Sequence, residues 1–418
     1  MANIRRGMMA AAGAGGVAEY QLWSWGFNNY GQLGYDSAAG NSSPVQIGEN
    51  FMGEIDLATE GIIATGNRIY GSYASSAVIK GDGTLWTFGL NTQGKLGIGD
   101  TTVRSSPVQV GSLTDWRSVA IGQTSMCATK TDGTLWGWGN GDQPATYPKL
   151  SGQDINVCSP VQIGSDSDWT GVLSVNMTYS NAVLGLKTDG QMYMWGSGAA
   201  APWSQGGFPY HAGPPYSNAI YSRLPTEIDD KSYVNAGCSR DNVIAIEKDT
   251  GKLWSWGVNN YGQLGLGNTI VTSSPTQIGT ATDWLWVSGD QGGQLLTAAN
   301  TNGEIWASGR DDVGQLGLES VIAYSSPVQV GGPGNWSSGG HGMAQSTYHL
   351  ITDANGDNTG GELWACGGGA WGVRGDDAYP NEDNISSPVQ IGTDTTWVAT
   401  TKQGSNQMFW KLAIKRAD

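Results

Sequence analysis

One phrase occurs seven times in this 418-residue chain, and it leaves few folds open. It reads Leu22-Trp-Ser-Trp-Gly26, Leu85-Trp-Thr-Phe-Gly89, Leu135-Trp-Gly-Trp-Gly139, Met192-Tyr-Met-Trp-Gly196 and Leu253-Trp-Ser-Trp-Gly257, with degenerate copies at Ile305-Trp-Ala-Ser-Gly309 and Leu363-Trp-Ala-Cys-Gly367. Successive copies start 50 to 63 residues apart. A period of this size marks a solenoid or a propeller, because each repeat is a small unit that buries its apolar face only against its neighbours.

Three further phrases fill each period. A Ser-Pro-Val-Gln segment returns at Ser42–Gly48, Ser105–Gly111, Cys158–Gly164, Ser273–Gly279, Ser325–Gly331 and Ser386–Gly392, with a worn copy at Leu224–Ile228. Proline stands near the start of that segment, where a missing N–H costs a ladder least. Val and Ile then alternate with Gln, the period of a half-buried strand. A tryptophan-led segment follows at Trp116, Trp169, Trp284 and Trp336, and a fourth runs into Asp-Gly at Asp132-Gly133 and Asp189-Gly190. Asp-Gly suits a two-residue hairpin because Gly accepts positive φ. Each repeat is therefore four short antiparallel strands. The expected fold is all-β: a seven-bladed β-propeller of four-stranded antiparallel blades.

The two ends sharpen this expectation. The first copy, at residue 22, has no Lys-Asp-Gly strand before it, whereas Trp397 and Trp410–Lys415 have no such copy after them. The last strand is thus expected to take the first as its partner, closing the ring at residues 20–26 and 406–415 and removing exposed edges. Residues 1–19 are read as a flexible or docking arm and 20–418 as one propeller.

These phrases resemble the regulator of chromosome condensation family, whose signature is a strand like LWxWG, a loop like GxNxxGQLG and a Pro-Val strand. The loop stands here as Gly26-Phe-Asn-Asn-Tyr-Gly-Gln-Leu-Gly34, Gly89-Leu-Asn-Thr-Gln-Gly-Lys-Leu-Gly97, Gly257-Val-Asn-Asn-Tyr-Gly-Gln-Leu-Gly265 and Gly309-Arg-Asp-Asp-Val-Gly-Gln-Leu-Gly317. The resemblance covers about residues 20–418 and implies a seven-bladed propeller. The family's founder is a nucleotide exchange factor for a small GTPase that also touches chromatin. No residue-by-residue match carries that exchange surface over, and a shared ring does not establish a shared activity. The opening MANIRRGMMAAAGAGG resembles the starts of structural proteins of tailed bacteriophages.

Composition narrows the function classes. The formal charge is −15, which repels a phosphate backbone and disfavours nucleic acid as a partner. No apolar run approaches the roughly 20 residues that insert into a membrane. The four cysteines show neither CxxC spacing nor clustering and read as small buried hydrophobes. Gly89–Lys95 mimics a phosphate loop but is followed by Leu96 instead of Ser or Thr, and Gly367–Gly372 mimics a dinucleotide fingerprint without a helix after it. His211, His341 and His349 fall in different repeats, so no catalytic set converges, and neither an enzyme activity nor a cofactor is expected.

Three places are candidates for binding. The fourth repeat replaces GQLG by an irregular stretch carrying Trp203, Phe208, Tyr210, His211 and Tyr216, suited to stacking or protein contact. Arg5, Arg6, Lys411, Lys415 and Arg416 lie near the two ends and would form a basic docking spot after closure. Asp353, Asn355, Asp357 and Glu362 offer oxygens for calcium, although Asn358 stands where an EF-hand loop wants Gly.

The function expected from these readings is a non-enzymatic structural or binding propeller in a bacteriophage virion: a tail fibre, an appendage or a capsid decoration. Its partners would be other virion proteins or a host surface molecule, and assembly would permit homo-oligomers. The alternatives are a secreted inhibitor or adhesin, similar to the propeller that blocks β-lactamases, and a regulator of a small GTPase.

Overall fold

The computed structural model describes residues 17–56, 68–72, 74–122, 124–140, 156–177, 180–198, 220–238, 242–289, 294–331, 336–342, 347–352, 360–377, 383–401 and 410–417. Its strands fall into seven separate sheets, six of four strands and one of five. Blade 2 holds Ile69–Ser72, Ser75–Ile79, Leu85–Gly89 and Arg104–Gln109; blade 3 holds Trp116–Ile121, Ser125–Lys130, Leu135–Gly139 and Val157–Ile163. Blade 4 runs from Trp169–Met177 through Ser180–Lys187 and Met192–Gly198 to Ile220–Glu227, and blade 5 from Tyr233–Cys238 through Asn242–Glu247 and Leu253–Gly257 to Thr272–Ile278. Blade 6 comprises Trp284–Gly289, Leu295–Asn300, Ile305–Gly309 and Tyr324–Gln329; blade 7 comprises Trp336–Gly342, Thr347–Thr352, Leu363–Gly367 and Ile385–Gln390. All pairings are antiparallel, and the first strand of each blade touches a first or second strand of the preceding one, which places the first strands nearest the ring axis.

Blade 1 is built from both ends of the chain. Trp397–Thr400 and Trp410–Arg416 supply its first two strands, and Val17–Gly26 and Asn41–Ile47 supply the third and the outer one. The seam runs in unbroken register from Tyr20 opposite Arg416 to Gly26 opposite Trp410. The expected closure is therefore observed. The strand starts at Val17, however, and its first four residues pair with a fifth strand, Gly53–Asp56. That extra strand is held because Met52 and Ile55 are buried with Tyr20, Leu22 and Val398 in one cluster.

The second strands lie between two others and against both neighbouring blades, so they bury both faces: Ser125–Lys130 is buried at every position. The outer strands stay half-exposed, as their Val/Gln alternation predicts. Packing is led by indoles; Trp25, Trp138, Trp169, Trp256, Trp286 and Trp410 are essentially inaccessible. Cys127 and Cys366 are buried free thiols and Cys158 is a half-buried one.

This arrangement corrects the reading of the terminal basic residues. Lys411 and Lys415 are buried, because they belong to a second strand. Lys411 donates from Nζ to the carbonyl of Thr401 (3.4 Å). Lys415 pairs with Asp394 at 3.0 Å and lies over the ring of Trp23 at 5.3 Å. Arg416 is exposed, and Arg5 and Arg6 lie outside the described residues.

Candidate interaction surface

Strand direction alternates within a blade, so every connection between third and outer strands leaves from the same end of the ring. In five of these connections the GxNxxGxLG segment, intact in three and altered in two, builds one small structure. The side chain of Asn28 ties both halves of its loop: Oδ1 accepts the Leu33 N–H at 2.9 Å, while Nδ2 donates to the carbonyls of Ser37 and Ala39. Asn91 and Asn259 repeat the arrangement with Leu96 and Leu264. The leucine then fills the core, and the preceding glycine lies against the next blade.

That glycine is an interblade contact. Gly31 has φ +74°, and a Cβ there would stand 2.5 Å from Cα of Ser105 in the next outer strand. Gly94, Gly262, Gly314 and Gly372 meet Cys158, Ser325, Ser386 and Ser42 in the same way. A backbone bond accompanies each contact: the amides of Asp36, Gly99, Gly267, Glu319 and Asp377 donate to the carbonyls of those same outer-strand residues. The residue after the glycine offers its carbonyl to an indole, Trp138 Nε1 to Lys95 O and Trp25 Nε1 to Val373 O, both at 2.8 Å. In blade 7 the thiol of Cys366 replaces the indole and donates to Gln315 O.

Three loops depart from the pattern at charged residues. Asp311 takes the place of the asparagine; its Oδ1 accepts the Leu316 N–H at 2.8 Å, but Oδ2 is buried without a hydrogen-bond partner. Burial is the main cause that pushes its carboxyl up to about 7. Lys95 takes the place of glutamine and is fully buried, which pulls its ammonium down to about 7. In blade 7, Gly369 stands at the asparagine position, and the buried Arg374 takes over by donating to the carbonyls of Gly367 and Asp383.

Pinned in this way, the loops hold apolar side chains outward. Tyr30, Tyr261 and Trp371 occupy the same loop position and are 40–46 % exposed. Farther along the loops Val103, Ile270, Val321 and Ile322 are exposed, the two isoleucines at 69 % and 67 %. Trp371 also has φ 58°, a conformation bulky residues rarely adopt, and meets Phe27 edge-on at 5.4 Å. Aromatic and branched side chains are thus gathered on one rim as exposed apolar surface. Tyr30 and Tyr261 stand inside the loop motif, but no repeat phrase marks them as exposed, so the rim is not among the binding candidates read from the sequence.

Of the candidates read from the sequence, Trp203, Phe208, Tyr210, His211 and Tyr216 lie outside the described residues. The strands flanking them, Met192–Gly198 and Ile220–Glu227, are the third and outer strands of blade 4. Asp353, Asn355 and Asp357 also lie outside the described residues. Glu362 accepts the Trp364 indole N–H at 3.1 Å. No group of three metal-ligating side chains occurs among the described residues. His349 is buried, its Nε2 3.1 Å from Arg374 O, at the interface between blades 7 and 1.

Comparison with known proteins bears on this architecture. The model of the regulator of chromosome condensation repeat matches residues 21–56, 82–129 and 250–289. The chain is 27 % identical over 316 residues to the ultraviolet-B receptor UVR8 of Arabidopsis thaliana, a match covering 73 % of this chain and 64 % of the receptor. It is 24 % identical over 402 residues to the secretion-regulating guanine nucleotide exchange factor of Mus musculus, covering 88 % of this chain and 78 % of that one. Prp20p from Saccharomyces cerevisiae shares the fold, with a TM-score of 0.72 at 14 % identity over 99 % of this chain and 95 % of its own. Fold and loop geometry together define a closed seven-bladed propeller, and the repeat model matches three of its segments.

Proposed function

We propose that the chain is a non-catalytic propeller that binds a protein partner through its loop rim. The observation that carries this reading is the set of exposed side chains Tyr30, Ile322 and Trp371 on loops whose backbones are pinned to the next blade. Rigid anchors lose little conformational entropy on binding, which favours contact there. Prp20p, which shares the fold, binds Gsp1p and histones, and this supports a protein partner here. A Tyr30→Ser, Ile322→Ser variant should fold like the wild type and lose co-purification with its partner. Undiminished association would overturn the reading.

As its setting we propose a bacteriophage particle, in which the protein serves as a fibre, appendage or decoration component meeting other virion proteins or a host surface molecule. The opening MANIRRGMMAAAGAGG supports this. Mass spectrometry of purified particles should detect the protein, and its absence would sink the setting without touching the rim.

A second reading, regulation of a small GTPase, is favoured by the similarity to an exchange factor over 88 % of the chain. It predicts faster release of labelled nucleotide from a host GTPase. No acceleration across the host's GTPases would dismiss it.

A further inference from the structure

Away from the rim, most blades carry a lysine caged by two aromatic rings and a carboxylate. In blade 3, Lys130 pairs in register with Trp116, lies 4.3 Å from the ring centre of Trp136 and 5.4 Å from that of Trp116, and reaches Asp115 at 3.5 Å. In blade 4, Lys187 pairs in register with Trp169, lies over Trp169 and Tyr193, and meets Asp166 and Asp168 at 2.8 and 3.1 Å. In blade 1, Lys415 does the same with Trp397, Trp23 and Asp394. Blade 2 places Lys80 over Phe51 and Trp86, and blade 5 substitutes Lys231, over Trp254 and against Asp229.

Blade 6 keeps the aromatic residues of the cage at the same register positions and lacks the lysine. The residue in register with Trp284 is Asn300. The backbone identifies Asp283 as the counterpart of Asp115 and Asp168: its carbonyl accepts the N–H of Thr301, as theirs accept those of Thr131 and Thr188. Trp306 stands where Trp136 does, opposite Ala298 in the second strand as Trp136 is opposite Ala128. Asn300 brings no charge, and its short side chain is engaged in its own turn: Nδ2 donates to Glu304 at 2.7 Å, and Oδ1 accepts the amides of Asn302 and Glu304. Asp283 and Glu304 have no ion-pair partner among the described residues and are half-buried. Trp284, Trp306, Asp283 and Glu304 line one groove of about 810 Å³ between blades 5 and 6. Blade 7 has Thr352 at this register position, and residues 332–335 lie outside the described ones.

We infer that this groove takes up a lysine side chain of a partner polypeptide, whose ammonium settles against Trp284, Trp306, Asp283 and Glu304 as Lys130 and Lys187 settle within their own blades. Two indole faces and two carboxylates complement one cation, and partial burial strengthens each attraction over its value in open water. The chain's net charge of −15 draws cationic segments towards it. The groove reaches the rim at Ile270, but Asp283, Trp284, Asn300, Glu304 and Trp306 are distinct from the residues substituted to test the rim, so either reading can fail alone.

The probe is a capped Gly-Gly-Lys-Gly-Gly peptide, titrated against the whole protein while the tryptophan indole N–H resonances are followed by NMR. One lysine in a groove should bind with a Kd on the order of a millimolar. The Nε-acetylated peptide should bind at least about tenfold more weakly, because acetylation removes the charge. Asn300→Lys supplies the blade's own ammonium; it should melt no lower than the wild type and lose affinity by at least about tenfold. Glu304→Gln, with its fold checked by circular dichroism, gives the same answer should Asn300→Lys not fold. Equal binding of the two peptides, full affinity in the folded variants, or no binding of the lysine peptide at millimolar concentration would each overturn the inference.

Discussion

The backbone amide of Asp377 donates to the carbonyl of Ser42 at 3.1 Å, and the Ser42 hydroxyl returns a bond to the Asp377 carboxylate at 2.6 Å, across 335 residues of sequence. The same contact between a loop and the next outer strand recurs at Asp36 and Ser105 and at Glu319 and Ser386. The junction between blades 7 and 1 is thus built like an internal one. The ring closes twice, once through this loop and once through the strand seam within blade 1, from Tyr20 to Gly26.

Removing the seam strand should open the ring. Deletion of residues 20–26 leaves Trp410–Arg416 with an unpaired edge and exposes the cluster around Trp410 and Leu412. Size-exclusion chromatography should show large aggregates, and thermal melting should fall sharply. A monomeric product with an unchanged melting temperature would refute the closure.

The glycine contacts between blades should be far more sensitive than glycines of similar φ in open space. Gly31→Ala puts a methyl 2.5 Å from Ser105 Cα, at φ +74°. It should cost about 2–4 kcal/mol through strain and forced separation of blades. Gly111→Ala has φ +61° and nothing within 4 Å, so it should cost only about 1 kcal/mol. Urea unfolding of the two variants gives the comparison.

Asp311 should make stability fall as pH rises. Its native carboxyl is held up to about 7, so the folded state keeps a proton that the unfolded chain releases near pH 4. The stabilisation is complete below pH 4 and is lost as pH rises through 7. Asp311→Asn restores the amide found at Asn28, Asn91 and Asn259. It should leave stability at pH 4 nearly unchanged and raise it by about 1–3 kcal/mol at pH 8. Chemical denaturation at both pH values tests the difference.

Lys95 should act in the opposite sense. Its native ammonium is pulled down to about 7, so the unfolded chain binds the extra proton between roughly pH 7 and 10. Its cost is therefore largest below pH 7 and vanishes above pH 10. Lys95→Gln, the residue found at Gln32, Gln263 and Gln315, should stabilise at pH 6 by about 1–3 kcal/mol and have little effect at pH 10. A uniform gain at both pH values would show that packing, not charge, sets the effect.

How much of this was readable in the sequence depends on the range of the signal. The ring and its seam were legible because seven copies of one strand phrase cannot bury themselves except against each other. The strand Gly53–Asp56 was not, since four residues are too few for an alternation to show and its partner, Val17–Tyr20, precedes the repeat. Ile69–Ser72 opens blade 2 without the tryptophan that marks most first strands. Lys411 and Lys415 were misplaced by their nearness to the chain end, although Lys80, Lys130 and Lys187 already marked that strand position as a caged one. The rim and the groove of blade 6 needed the folded ring: Tyr30 gains meaning only beside Trp371 and Ile322, and Asn300 only when superposed on Lys130.

The direction of the seam has a mechanical consequence. Val17 and Arg416 leave the paired strands Val17–Gly26 and Trp410–Arg416 at the same end. A load applied between those two points would pull across the ladder, breaking its bonds one after another from Tyr20 towards Gly26. Loaded along the strands, the same bonds would have to yield together. The ring is therefore expected to be stiff against thermal opening and yet easily unzipped by tension between its ends.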